Sequence, residues 1–128
     1  MSDFVDPAEP AAVEAVLRDA LTALGLDALL TQLSPVPDLY VQPARAGGFF
    51  RAAEPAMVAY GDRRLLLDPQ GTTLEHLVGG VVLARDGISR TALPGALAAL
   101  VCRSVAGSGA ADEVSVLLTA LRDAVSIS

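Results

Sequence analysis

Lysine, asparagine and tryptophan do not occur in this chain, and histidine and cysteine occur once each, as His76 and Cys102. These absences remove whole classes of chemistry. A single cysteine forms neither an internal disulfide nor, alone, a zinc site. Metal ligands other than carboxylates are nearly missing, and no G-x-S-x-G elbow is present, so serine hydrolase chemistry would rest on the lone histidine. No cofactor-binding motif emerges. All nine basic residues are arginines, set against fifteen acids, for a net charge of −6 and a pI near 4.5. Phosphate neutralisation needs clustered cations, and the nearest approach to a cluster is Arg63 with Arg64, so nucleic acid is excluded as an expected partner.

Aromatic residues are equally scarce, at 4%, while hydrophobic residues reach 52% and the mean hydropathy is +0.49. The core must therefore be built from small aliphatic side chains. Such a surplus predicts that some apolar area lies at a contact with another copy or another protein. The abundance of Ala, Gly, Val, Leu, Arg and Asp suggests a GC-rich, actinobacterial coding source. The first ten residues, MSDFVDPAEP, have neither the basic nor the apolar region of a secretory signal, so the expected location is the cytoplasm. The longest uncharged apolar stretch, ALPGALAALVC at 92–102, falls short of the about twenty residues of a bilayer span and is broken by Pro94 and Gly95, so no membrane span is expected. A length of 128 residues suits one domain over 1–128.

Periodicity divides the chain into three parts. From Pro10 to Leu24, the residues Val13, Val16, Leu17, Ala20, Leu21 and Leu24 follow one helical face. Asp6, Pro7 and Glu9 read as its N-cap, first-turn proline and capping-box acid, and Gly25 as its stop. A second short helix is expected over Leu26 to Leu33, before the breaker run Ser34 to Asp38. From Leu39 to about Ala84 the pattern becomes that of an antiparallel meander of four to five strands. Its clearest unit is AMVAYGDRRLLL, a hairpin whose two-residue Gly61–Asp62 loop suits a type II′ turn. LYVQP and FFRAA around Gly47 and Gly48 suggest another hairpin, with Pro43 confining the first strand to an edge. Asp68, Pro69, Gln70 and Gly71 read as a β-turn. Helical periodicity returns after Ile88, with Thr91 as an N-cap. One stripe holds Leu93, Leu97, Leu100, Val101 and Val105, and a second holds Val114, Leu117, Leu118, Leu121 and Val125. A short AGSG elbow between them predicts an αα-hairpin packed on the sheet, and thus an α+β fold. The last helix carries a further apolar set, Val116, Ala120, Ala124 and Ile127, that is the candidate interface.

The pair Glu75 and His76 tests catalysis directly. On a strand, neighbouring side chains point to opposite faces, so the carboxylate cannot orient the imidazole. On a helix, Thr72 and Glu75 would make a capping box, and the glutamate would again have a structural task. His76 is therefore expected to be a hydrogen-bonded core or rim residue. Gly79 and Gly80 read as sheet geometry, such as a bulge, in preference to a ligand opening. GSGAAD at 107–112 fails as a dinucleotide fingerprint because Asp112 replaces the third glycine and no strand precedes it. Asp112 and Glu113 there serve the dipole of the following helix. Cys102, with only Arg103 beside it, reads as a buried small hydrophobe. The arginines gather in the sheet and its turns, whereas the first 38 residues hold seven acids against Arg18 alone.

In length, low pI and its layout of N-terminal helix, antiparallel sheet and amphipathic C-terminal helix, the chain resembles the small acidic chaperones of type III secretion and related bacterial α/β domains. The closing pair of helices departs from that family's order of helices and strands. The resemblance implies a dimer that holds a partner polypeptide, and it transfers no residue role. The expected function is a non-catalytic interaction module acting as a homodimer, with another protein as a further partner. The alternative is a small-ligand domain or enzyme whose pocket lies between sheet and helices near His76, Tyr60 and Arg64.

Overall fold

The computed structural model describes residues 4–49, 52–68 and 71–127. Phe50 and Arg51 of the second expected hairpin, and Pro69 and Gln70 of the expected β-turn, lie outside the described residues. The elements run α1 (Pro10–Leu24), α2 (Leu26–Leu33), β1 (Tyr40–Gln42), β2 (Ala56–Tyr60), β3 (Arg63–Asp68), β4 (Gly71–Val78), β5 (Val81–Ile88), α3 (Leu93–Ser108) and α4 (Ala111–Ile127). The five strands form one antiparallel sheet in the order of the sequence, as the α+β layout requires.

Both N-terminal helices keep the limits that their periodicity predicts, but α1 starts differently. Pro10 occupies its first turn and Glu9 is the residue before it. Proline is preorganised for that position and loses no hydrogen bond there, so Pro10 sets the boundary. Asp6 instead closes the preceding turn, where the Ala8 N–H donates to Asp6 Oδ1 at 2.9 Å and the Glu9 N–H to the Asp6 carbonyl at 3.2 Å. At the other end of the helical layer, Thr91 does not cap α3. A 3-10 turn at Arg90–Ala92 leads into that helix, and the Thr91 hydroxyl pairs with that of Ser89.

Turn chemistry fixes the sheet register. Gly61 has φ 58°, Asp62 is not left-handed, and Tyr60 pairs with Arg63 across them, which is the pattern of a type II′ hairpin. Gly79 and Gly80 are the two-residue loop of the β4–β5 hairpin, with φ 59° and 82°, the signs a type I′ turn needs. The bulge expected at this pair falls earlier, between His76 and Leu77. The stretch after Pro43 makes less sheet than its sequence suggests. β1 pairs directly with β2, Arg45 and Glu54 form one isolated bridge, and Ala52 and Ala53 are not in a strand. Pro43 and Pro55 bracket that segment, and neither can donate to a ladder.

Alternation decides what the sheet buries. Ala56, Val58, Leu65 and Leu67 face the helices and are buried, whereas Met57, Leu66 and Leu77 face the other way and stay half-exposed. α3 is the helix that packs on β2, and α1 lies against both α3 and α4, each of which touches α1 more than it touches the other. Val13, Leu17, Leu97, Val101, Val114 and Leu118 meet in that stack. The stretch Arg90–Ser108 is long and apolar enough to cross a membrane by length and composition, and eight α3 residues within it are buried in the fold. Val5 is strapped onto α4 by both backbone groups: its N–H donates to Thr119 Oγ1 at 3.0 Å, and the Ser115 hydroxyl donates to its carbonyl at 2.7 Å. The Ser104 hydroxyl similarly ties α3 to the Pro37 carbonyl.

Tyr60 rises from β2 to α3 at Gly107, where an added Cβ would overlap the tyrosine hydroxyl. Gly107→Ala should therefore destabilise the fold by about 1–3 kcal/mol despite alanine's better helix propensity. Tyr60→Phe in the same chain should recover much of the loss. Urea midpoints of the two single variants and the double variant measure this coupling, and additive effects would contradict the packing described.

Candidate functional site

β4 places Glu75 and His76 on opposite faces, and each is surrounded by its own arginines. On the face without helices, Glu75 is 1% exposed. Arg64 on β3 and Arg85 on β5 are its cross-strand neighbours on either side. Arg64 Nε donates to Oε1 at 2.7 Å and Arg85 Nε to Oε2 at 2.8 Å. Burial pushes the Glu75 carboxyl up, and the hydrogen bonds and charges of Arg64 and Arg85 outweigh it, holding the group below the usual glutamate value. The arrangement engages both carboxylate oxygens with guanidinium groups, so it ties strands together.

On the opposite face, Tyr60, Arg63 and His76 stand in one row across β2, β3 and β4. Arg63 Nη1 lies 2.7 Å from His76 Nδ1. A guanidinium can only donate, so Nδ1 accepts and the proton of the neutral ring is on Nε2, facing Asp62 Oδ2 at 3.5 Å. Asp62 also receives Arg103 Nη2 from α3 at 3.2 Å. Partial desolvation raises the Asp62 pKa, and Arg103, Arg63, His76 and its own backbone N–H together bring it below the usual value. This cluster fastens the β2–β3 turn to α3 and to β4, where the Leu77 N–H reaches the Asp62 carbonyl at 2.8 Å.

Of the three residues expected to share a pocket, Tyr60 and His76 are therefore brought to one face, and Arg64 lies on the other. Both ring nitrogens of His76 have partners, as its rim position anticipates. Cys102 is half-buried on α3, and burial, reinforced by the charge of Asp6, pushes its thiol above the usual value. That disfavours the nucleophilic thiolate. Val116, Ala120, Ala124 and Ile127 are all exposed along α4. Among the described residues, no cluster of three or more His, Cys, Asp or Glu side chains could hold a metal ion.

A cleft of about 660 Å³ opens at the other end of the interlayer space. Its floor includes Ala56, Leu67 and Leu93, and Leu21, Leu26 and Ile88 line its sides. Asp27, Asp68, Thr72 and Arg90 contribute polar groups. This cleft lies at the strand ends opposite to those that carry Tyr60 and His76, and spacing alone does not say which end the helices leave open. The arginines of β3 opposite Glu75 and His76 were more accessible to inference. Counting back equally from Asp68 and Gly71 puts Arg64 opposite Glu75 and Arg63 opposite His76, as observed. Comparisons of the chain with protein-family models, curated proteins and solved structures find no match.

Because the native carboxylate of Glu75 is favoured over its protonated form, its contribution is fully present above pH 4.5 and is lost as pH falls through its lower folded value. Glu75→Gln should cost about 2–4 kcal/mol at neutral pH, since two arginines lose a charged partner. The same variant should also lose less stability than the wild type between neutral pH and the acid range. Urea denaturation at both conditions checks the sign, and parallel pH profiles would contradict it.

Proposed function

We propose that the chain is a non-catalytic protein-interaction module, acting as a homodimer in the bacterial cytoplasm and holding another polypeptide as an adaptor or chaperone does. One observation carries this reading. The β4–β5 hairpin extends beyond the helical cover, and every residue from Leu83 to Gly87 is exposed, on both faces of a strand whose outer edge pairs with nothing among the described residues. Its tip adds Val78, Val81 and Leu83, which are 55%, 62% and 65% exposed. A long edge strand bearing aliphatic residues is a template for strand addition, in which main-chain bonds supply affinity and alternate side chains supply choice. The exposed stripe of Val116, Ala120, Ala124 and Ile127 on α4 offers a second contact for the same task. Scarcity of reactive groups agrees with it: His76 and Glu75 are occupied in holding strands, and burial pushes the Cys102 thiol above its usual value.

The cleft of about 660 Å³ favours a second reading, a small-ligand domain, since its volume lies within the roughly 300–1,000 Å³ of ligand sites. The two readings demand different surfaces and are separable. Sedimentation velocity at micromolar concentration should give a dimer for the wild type and a monomer for Leu83→Lys, because a lysine there obstructs strand pairing while lying far from the core. The helical circular dichroism signal should be unchanged. A wild-type chain that remains a monomer throughout would overturn the homodimer. A dimer that survives Leu83→Lys but not Val116→Arg would move the contact to α4.

A further inference from the structure

Arg90 stands at the cleft between the sheet and the N-terminal helices, in the short turn that leads into α3. Every other described arginine has a carboxylate partner, from Glu14 with Arg18 to Asp123 with Arg122. Arg90 has none among the described residues. Its position is also distinctive, because it is the cation of a cleft whose walls are otherwise largely aliphatic: Ala56, Leu67 and Leu93 beneath, Leu21, Leu26 and Ile88 beside. The two acids at the cleft each have a local interaction of their own. Asp27 lies in the first turn of α2, where the helix dipole takes up its charge, and Asp68 is engaged within the protein.

Resting on the ligand-cleft reading and independent of the dimer, we infer that this cleft binds an aliphatic monocarboxylate, with its chain along the leucine and isoleucine walls and its carboxylate on the Arg90 guanidinium. The chemistry on each side is matched. A planar guanidinium forms paired hydrogen bonds to a carboxylate, and a charged partner strengthens them. The hydrocarbon replaces water against side chains that already belong to the core. Thr72, on the wall formed by β4, supplies a hydroxyl next to the apolar surface and no competing charge. Nothing in the arrangement transforms the ligand: His76 and Glu75 lie toward the other end of the strands, each with its own partners.

Titration of the full chain with octanoate, decanoate, decanol and decylammonium, followed by amide resonances, tests the inference. Decanoate should shift the amides of Ala56, Leu67, Thr72, Ile88 and Arg90. Each added methylene should tighten binding about fourfold. Decanol and decylammonium should bind about tenfold more weakly than decanoate or worse, and Arg90→Gln should lose a similar factor for decanoate while leaving decanol unaffected. Arg90 is exposed and ties no element together, so the variant should fold as the wild type does, which its circular dichroism checks. Equal binding of decanol and decanoate, or undiminished decanoate binding by Arg90→Gln, would overturn the carboxylate clamp and leave an apolar ligand cleft. No shift at the cleft amides with any of the four compounds would overturn the inference and the ligand-cleft reading together, with the dimer still to be judged by sedimentation.

Discussion

A single buried carboxylate organises the sheet. Glu75 lies in β4 with one arginine across from it on β3 and another on β5, so three strands share one ion cluster. Removing a charge of this kind from water is costly unless its hydrogen bonds are met, and here they are met only in one register. A slip of one residue would turn Glu75 toward the helices and present His76 to Arg64 and Arg85. Leu65 and Leu67 on β3 keep their places on the buried face under the same alternation. The aliphatic core alone would tolerate several alignments of similar chains of Val and Leu. The glutamate with its two arginines discriminates among them.

The helical layer has a different logic. α1 is central, with α3 on one side and α4 on the other, so its Val13 and Leu17 are wholly enclosed. Such a stack needs small side chains, and this chain supplies them almost exclusively. The cluster of Asp62, Arg63, His76 and Arg103 then couples helices to sheet at one end of the strands. At the other end the layers part around Ala56, Leu67 and Ile88.

Much of the fold was legible because short-range rules governed it. The limits of α1 and α2 followed from apolar spacing, and the first hairpin from Gly61 and Asp62. The opposition of Glu75 and His76 followed from strand geometry alone. Less was legible where two local rules competed. Pro7 and Pro10 both suit a helix start, and only the actual path of the chain gives Asp6 to the preceding turn and Pro10 to α1. The grouping of Tyr60, Arg64 and His76 failed for Arg64 because it weighed nearness along strands and not side-chain parity, while the αα-hairpin gave no hint that α1 would lie against both of its members. Arg90 carried no local signal. It stands out only once the other described arginines have found carboxylate partners, which is a property of the whole fold.

The bulge between His76 and Leu77 has a consequence for assembly. An extra residue on one strand sharpens the local twist, and a coiled border differs from a flat one in what it can accept. A flat border would let molecules add without end into fibres. In the assembly proposed above, a coiled border would accept one complementary visitor and offer the next a poor match, so the irregularity would set a ceiling on growth while keeping the tip available.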